Sequence, residues 1–208
     1  MMKLFTFTNT VYTLGVLSLL ILAIKFSIFL HSSIYVVYFS KPIDLKKRYM
    51  RRGAGDQVWA VVTGATSGIG LGFCKSLAER GLNVLMVSRS LQKLESVSDD
   101  LKKQFPSVEF RICQSEYTNR AQCDLFIDRI LEAVRSLPKG CLAVLINNLG
   151  VSTDYPKLLV NISDSEMDDM LEVNCRLTCR LTKYIIPEMI QRNDCERRGL
   201  IIKYNVAL

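Results

Sequence analysis

The stretch of this chain best suited to chemistry is Thr63-Gly64-Ala65-Thr66-Ser67-Gly68-Ile69-Gly70, whose glycines are spaced GxxxGxG where an apolar run gives way to an amphipathic one. Glycine has no Cβ, so a turn built on Gly64, Gly68 and Gly70 lets its backbone approach a bound group closely. If a helix opens there, its first amides have no partner inside the helix and its positive dipole end faces the same point. A diphosphate is the ligand such a turn receives, with Gly64, Thr66, Ser67, Gly68, Ile69 and Gly70 expected around it. The next apolar run ends in Ser88-Arg89 with no acid. A carboxylate at that place would hold the ribose 2′-hydroxyl of NAD, whereas an arginine matches the 2′-phosphate of NADP. NADP(H) is therefore the expected dinucleotide and Arg89 one of its contacts.

Composition removes other chemistries. The single histidine, His31, lies in an apolar N-terminal run, so residues 40–208 hold no Ser-His-Asp or Cys-His machinery. The seven cysteines (Cys74, Cys113, Cys123, Cys141, Cys175, Cys179 and Cys195) form no CxxC pair. Zinc would need clustered Cys/His spacing, so reduced, buried, inert thiols are expected and no metal. Residues 1–53 carry eight Lys/Arg against one acid, Asp44, and thus the whole net charge of +7. The neutral remainder argues against nucleic acid as a partner, and a basic cluster beside an apolar run argues for a lipid membrane.

These residues need elements to carry them. Val58–Thr63, Asn83–Ser88, Val108–Cys113, Leu142–Ile146 and Leu200–Lys203 read as buried strands. Helices are expected over 69–80, from Leu91 to Phe105, over 120–137 with Phe126, Ile127, Ile130, Leu131 and Val134 inward, and over 163–192. The last opens on a capping box, Ser163-x-x-Glu166, and should kink at Pro187. Strands alternating with helices specify an α/β fold with a doubly wound parallel sheet and right-handed crossovers. Residues 54–208 are expected to form this domain, and residues 1–53 a membrane anchor with a basic juxtamembrane segment.

No charge occurs between Lys3 and Lys25, a stretch of 21 residues. A helix of that length spans roughly 30 Å. A second apolar run, Phe26–Phe39, follows, and then Lys41, Lys46, Lys47, Arg48, Arg51 and Arg52. One long tilted helix, one span plus an interfacial helix, and a two-helix hairpin all fit. Lys25 at mid-bilayer disfavours the first unless it snorkels. The run outlasts the apolar core of a signal peptide and has no small-x-small cleavage site before a polar start, so an anchor is expected. The basic cluster should stay cytosolic, which would leave the sequon Asn161-Ile-Ser163 without sugar.

TGATSGIG, together with Asn147-Asn148-Leu149-Gly150 at the end of the fourth strand, resembles the paired motifs of the short-chain dehydrogenases/reductases. The resemblance implies a Rossmann-type domain in which Asn147, Asn148 and Gly150 brace the sheet beside the cofactor. It also implies an acid after strand three that meets the adenine, a role nearest to Glu116 here. Val173-Asn174-Cys175 resembles the family's V-N helix motif, in which the asparagine holds a water of the catalytic proton relay. Asn174 reads equally as a hydrogen-bonded core asparagine, on one helix face with Met167, Met170, Leu171, Leu177 and Leu181.

The N-terminal anchor, GLNVLMVSRS, LINNLGVSTDYP and IPEMIQR are together similar to the microsomal very-long-chain 3-oxoacyl-CoA reductases and their hydroxysteroid dehydrogenase relatives, over about residues 55–202. That likeness implies the endoplasmic reticulum membrane, a domain facing the cytosol, and lipid metabolism: fatty acid elongation or steroid ketones. The family reaction also needs a serine, a tyrosine and a lysine four residues after that tyrosine. None of the eight tyrosines is followed by lysine at that distance, and after strand five the chain reads Lys203-Tyr204-Asn205-Val206-Ala207-Leu208. The resemblance thus implies a domain truncated after about strand five that keeps only Asn174 of the catalytic set. Two readings follow: a piece of an NADPH-dependent reductase, or a non-catalytic NADP(H)-binding protein whose uncovered face pairs with a full-length relative.

Overall fold

The computed structural model describes residues 2–35, 43–49, 57–117, 122–190 and 199–204. Lys41, Arg51, Arg52, the apolar residues 36–39, the helix ends expected at Arg120 and Arg192, Cys195 and the tail from Asn205 lie outside them. The chain forms two compact units, Met1–Ile43 and Asp44–Leu208.

Among its described residues the first unit holds one helix, α1 (Met2–Ile34). Its stretch Tyr12–Ile34 is 23 residues long with a mean hydropathy of 2.3, enough to cross a membrane by length and composition. The helix runs unbroken through Lys25, so within the described residues neither a hairpin nor a break at that lysine is found.

The second unit begins at Asp44, ten residues before the boundary expected from sequence, and opens with α2 (Leu45–Tyr49). Tyr49 is the reason, being only 6% exposed and packed into the core. Next come β1 (Trp59–Thr63), α3 (Gly68–Glu79), β2 (Asn83–Ser88), α4 (Leu91–Gln104), β3 (Phe110–Gln114), α5 (Cys123–Arg135) and β4 (Leu142–Asn147). A 3-10 turn (Leu159–Asn161), α6 (Asp164–Leu171), a π-helical segment (Glu172–Leu177), α7 (Thr178–Ile190) and β5 (Leu200–Lys203) complete it. All strand pairings are parallel, in the order β3-β2-β1-β4-β5. This is the Rossmann-type doubly wound sheet, reversing direction between β1 and β4.

Parallel strands covered on both faces need apolar side chains on both, which is why VWAVVT reads as a continuous run. Trp59 and Val61 point into a core shared with α5 and α7, while Ala60 and Val62 point into one shared with α3 and α4. All five inward residues expected on α5 are buried. On α4, Leu94 and Leu101 are buried, but Leu91 in the first turn is 40% exposed.

The expected long helix is continuous, with Pro187 inside α7 and the irregularity at 172–177 instead. Val173, Leu177, Leu181, Ile185 and Met189, spaced strictly by four, are the residues it buries. In a regular α-helix each step of four overshoots a full circle by about 40°. One widened turn takes up part of that drift and keeps the stripe on the sheet. Farther up the helix the stripe is not buried: Met167 is 36% and Leu171 56% exposed.

Burial pushes the Cys74 thiol up to about 12 and the Cys113 thiol up to about 11, and Cys123 and Cys141 are buried as well. Cys175 and Cys179 depart from expectation and are exposed, because they lie off the buried face of the helix.

Ser163 caps α6 reciprocally: its hydroxyl accepts from the Glu166 amide, and the Glu166 carboxylate accepts from the Ser163 amide. The same carboxylate receives Lys157 Nζ at 2.5 Å. Lys157 first, and then the Ser163 bonds, hold Glu166 down at about 2. A carboxyl lowered by folding stabilises fully above its ordinary value of 4.5 and loses that contribution as pH falls toward 2. NMR titration of Glu166 should show this low midpoint, and Lys157→Met should move it upward. Tyr49→Ala should destabilise the second unit by about 3 kcal/mol in denaturant titration of the full chain, the cost of emptying a buried aromatic site.

Candidate functional site

The site begins where β1 ends. Thr63 is 2% exposed, and its hydroxyl donates to Ile146 O while accepting from the amides of Asn148 and Leu149, both at 3.0 Å. Asn148 answers with its side-chain amide, which donates to Thr63 O (3.1 Å) and Gly64 O (3.3 Å). The ends of β1 and β4 are therefore sewn together at the point where the sheet reverses. Gly64 leaves this clamp with φ +66°, in the left-handed region. The chain then enters α3 so tightly that a Cβ on Gly70 would lie 2.1 Å from Gly64 O. No side chain larger than glycine fits there.

Ser67 occupies the N-cap position of α3 in extended geometry, but its side chain makes no capping bond. The first helical bond runs from Leu71 N to Ser67 O, leaving the amides of Gly68, Ile69 and Gly70 unspent by the helix. A Cβ on Gly68 would meet nothing within 4 Å, so the space before these amides is open. It forms part of a cleft of about 580 Å³ across the carboxyl ends of β1, β2 and β4. Ala65 N bonds Val87 O, and the Thr66 and Ser88 hydroxyls meet at 3.0 Å, fastening the turn to β2.

Charge in this cleft has one sign. Arg89 and Lys93 line it, no Asp or Glu does, and neither cation has a carboxylate partner among the described residues. Ser90 begins α4, its hydroxyl accepting from the Lys93 amide. Lys93 was not foreseen. Its signal was the four-residue spacing from Arg89 across a helix start, which sets two cations one turn apart.

Among the residues expected from sequence, Gly64, Thr66, Ser67, Gly68, Ile69, Arg89, Asn148 and Gly150 line the cleft together. Gly70 lies beneath it as the close contact just described. Asn147 is 2% exposed and turns away, donating to the Thr182 hydroxyl on α7 (3.0 Å). Glu116 is exposed and does not reach the cleft. Ser115 N still bonds Ser88 O, so strand alternation continues past β3: Ser115 points in, Glu116 out and Tyr117 in. Asn174 is half-buried, and both ends of its amide are engaged, accepting from Val151 N (2.9 Å) and donating to Val151 O (2.8 Å). It pins the loop that follows β4 out of the cleft.

Two further residues were not singled out from sequence. Tyr204 lines the cleft, edge-on to Phe73, with its amide bonded to Asn147 O. Lys203 Nζ donates to Leu149 O (3.2 Å), and burial lowers its pKa.

A family model described as short chain dehydrogenase matches residues 58–205. A very-long-chain 3-oxoacyl-CoA reductase of Aspergillus terreus is 39% identical over 144 residues, covering 69% of this chain and 38% of that protein. The reductase of the same description from Anas platyrhynchos is 35% identical over 157 residues, covering 74% and 47%. The chain thus spans less than half the length of these curated relatives. Among solved structures, the L-sorbose reductase of Gluconobacter frateurii complexed with NADPH and L-sorbose is similar at 26% identity and a TM-score of 0.60, over 71% of this chain and 51% of that one. A metagenomic short-chain oxidoreductase in complex with NADP has 27% identity and a TM-score of 0.56, over 70% and 61%. With the family's glycine turn, its Asn148 clamp and its sheet order all in place, the chain belongs to the short-chain dehydrogenase family.

Proposed function

We propose that residues 54–208 hold NADP(H) in the cleft. One observation carries this: the lining pairs unspent amides at the start of α3 with two unpartnered cations, Arg89 and Lys93, and no carboxylate. A ligand with two separated anionic groups fits this arrangement, the diphosphate at the glycine turn and the 2′-phosphate at Arg89 and Lys93. Gly64, Thr66, Ser67, Gly68, Ile69 and Gly150 form the diphosphate end, with Gly70, Asn147 and Asn148 shaping its backbone. The NADPH and NADP held by the solved relatives support the same choice.

Bound NADPH carries a hydride for reducing a carbonyl, and in the curated relatives the named substrate class is a very-long-chain 3-oxoacyl-CoA. We assign the protein to that class of membrane reductases, with steroid ketones second, on the strength of a putative steroid dehydrogenase of Caenorhabditis elegans at 36% identity. The 208 residues contain no tyrosine with lysine four positions on, and the Asn174 side-chain amide is already spent on Val151. On this reading residues 54–208 bind and orient the dinucleotide without themselves turning over a ketone, and a relative that carries the tyrosine and lysine is their partner. Residues 12–34 serve as the membrane anchor. The basic residues Lys46, Lys47 and Arg48 that follow keep the domain on the cytosolic side of the endoplasmic reticulum.

Calorimetry on the purified chain should show NADPH binding at least about tenfold tighter than NADH, the effect of one charge-assisted contact. Arg89→Met should remove most of that preference and leave NADH unchanged, while Gly70→Val should abolish both. No heat with either dinucleotide would overturn the cofactor assignment. NADPH consumption with a 3-oxoacyl-CoA would overturn the binding-only reading. In microsomes the domain should be digested by added protease and Asn161 should remain unglycosylated; protection with a sugar at Asn161 would reverse the orientation.

A further inference from the structure

The loop that leads from β4 to α6 turns its most apolar residues outward. Tyr155 is 64% exposed, and Leu158, Leu159 and Val160 are 71%, 71% and 87% exposed. Among the described residues of the second unit, no other run of three large apolar side chains is exposed. Neither core cluster includes these three, so folding of the domain does not use them. Single exposed leucines are ordinary on a protein surface, whereas a contiguous apolar patch marks a contact.

The segment also sheds its polarity. Its one charge, Lys157, folds back: the ammonium lies 5.1 Å from the Tyr155 ring centroid and bonds Glu166, and the side chain is only 17% exposed. Within the 3-10 turn the amides of Asn161 and Ile162 donate to Leu158 O (2.8 Å) and Leu159 O (3.2 Å). Tyr155 O accepts from the Thr153 hydroxyl. A turn that closes its own hydrogen bonds and hides its charge loses little on leaving water.

The rest of the chain says what covers this tip. Nine residues, 35–43, lie between Ile34 and Asp44. Such a stretch reaches roughly 30 Å at most, so a spanning α1 keeps the second unit at the lipid surface. The flanking charges are acidic, Asp154 before the segment and Asp164, Asp168 and Asp169 after it, all exposed. They disfavour an anionic surface and leave a neutral one.

We propose that Leu158, Leu159 and Val160 insert into the interfacial layer of a zwitterionic phospholipid bilayer, a second membrane contact besides α1. The inference rests on reading residues 12–34 as an anchor. Val151, four residues before Tyr155, lines both the cleft and a side cavity of about 280 Å³. The contact therefore holds the β4 end of the cleft beside the lipid, where a long-chain ketone partitions.

Tryptophan fluorescence tests this on the full chain reconstituted into phosphatidylcholine vesicles. The one native tryptophan, Trp59, is fully buried in the sheet and serves as the internal reference. Leu159→Trp and, separately, Val160→Trp add an indole where the core is not disturbed. Bromine on the lipid acyl chains near the headgroup should lower the added emission at least about twofold, the depth of an interfacial contact, and leave Trp59 unchanged. Ile190→Trp adds an indole at a position equally exposed, 71%, at the far end of α7, and should not be quenched. Equal quenching at Ile190→Trp and Leu159→Trp would mean that no one face meets the lipid, and overturns the proposal. A blue-shifted Leu159→Trp that bromine does not quench means that a protein, a second copy or another partner, covers the segment, and overturns it too. If the chain does not float with the vesicles, the anchor reading fails and this inference with it. If it floats while the indoles of Leu159→Trp and Val160→Trp stay in water, this inference alone fails.

Discussion

The site depends on the Thr63 hydroxyl. It is buried between the two central strands, gives its proton to Ile146 O and receives the amides of Asn148 and Leu149, so its bonding capacity is filled. Strands β1 and β4 diverge at their carboxyl ends because the chain reverses there, and diverging strands leave backbone groups without ladder partners. A buried amide left in that condition costs about 1–3 kcal/mol, and Thr63 with Asn148 satisfies four such groups within one clamp. The clamp also brings the Asn148 side chain and Gly64 O so near the first turn of α3 that Gly70 cannot carry a Cβ. The glycines of the turn are thus constrained by the protein behind them as much as by any ligand in front.

Around that point, acids are kept off the cleft by several separate devices. Glu116 is turned outward by strand alternation. Glu166 lies in the side cavity's wall and is neutralised by Lys157. Glu172 is tied to Arg176. Among the described residues Arg89 and Lys93 are left without counter-ions in a concave space, where the field of two like charges is focused on an incoming anion. Glu172, half-buried beside the core, is paired with Arg176 one helical turn away, and both lie in the widened turn at 172–177.

The elements themselves were legible because each is encoded by local periodicity. Asn83–Ser88 and Leu200–Lys203 have the bounds expected from their apolar runs. The other ends that fall within the described residues differ by one or two positions, where fraying and turn geometry decide. The capping box of α6 was readable because it needs only residues three apart. The widened turn was not, since a Pro within a helix is a visible signal whereas a drift in a four-residue stripe matters only against a particular sheet. Tyr49 likewise gave no local sign that the domain begins before residue 54; its burial is a matter of what it packs against.

By itself, the sequence determined the alternation of strands and helices, the glycine turn with its diphosphate chemistry, the arginine at the end of β2, and an N-terminal segment apolar enough to cross a membrane. All of these rest on residues near one another along the chain. Tertiary structure alone decided that Asn148 rather than Asn147 closes on the turn, that Lys93 joins Arg89 and that Glu116 faces solvent. Those outcomes depend on strand register and on which face of each element meets the cleft. Both are set by the packing of the whole sheet, so no local stretch contains them.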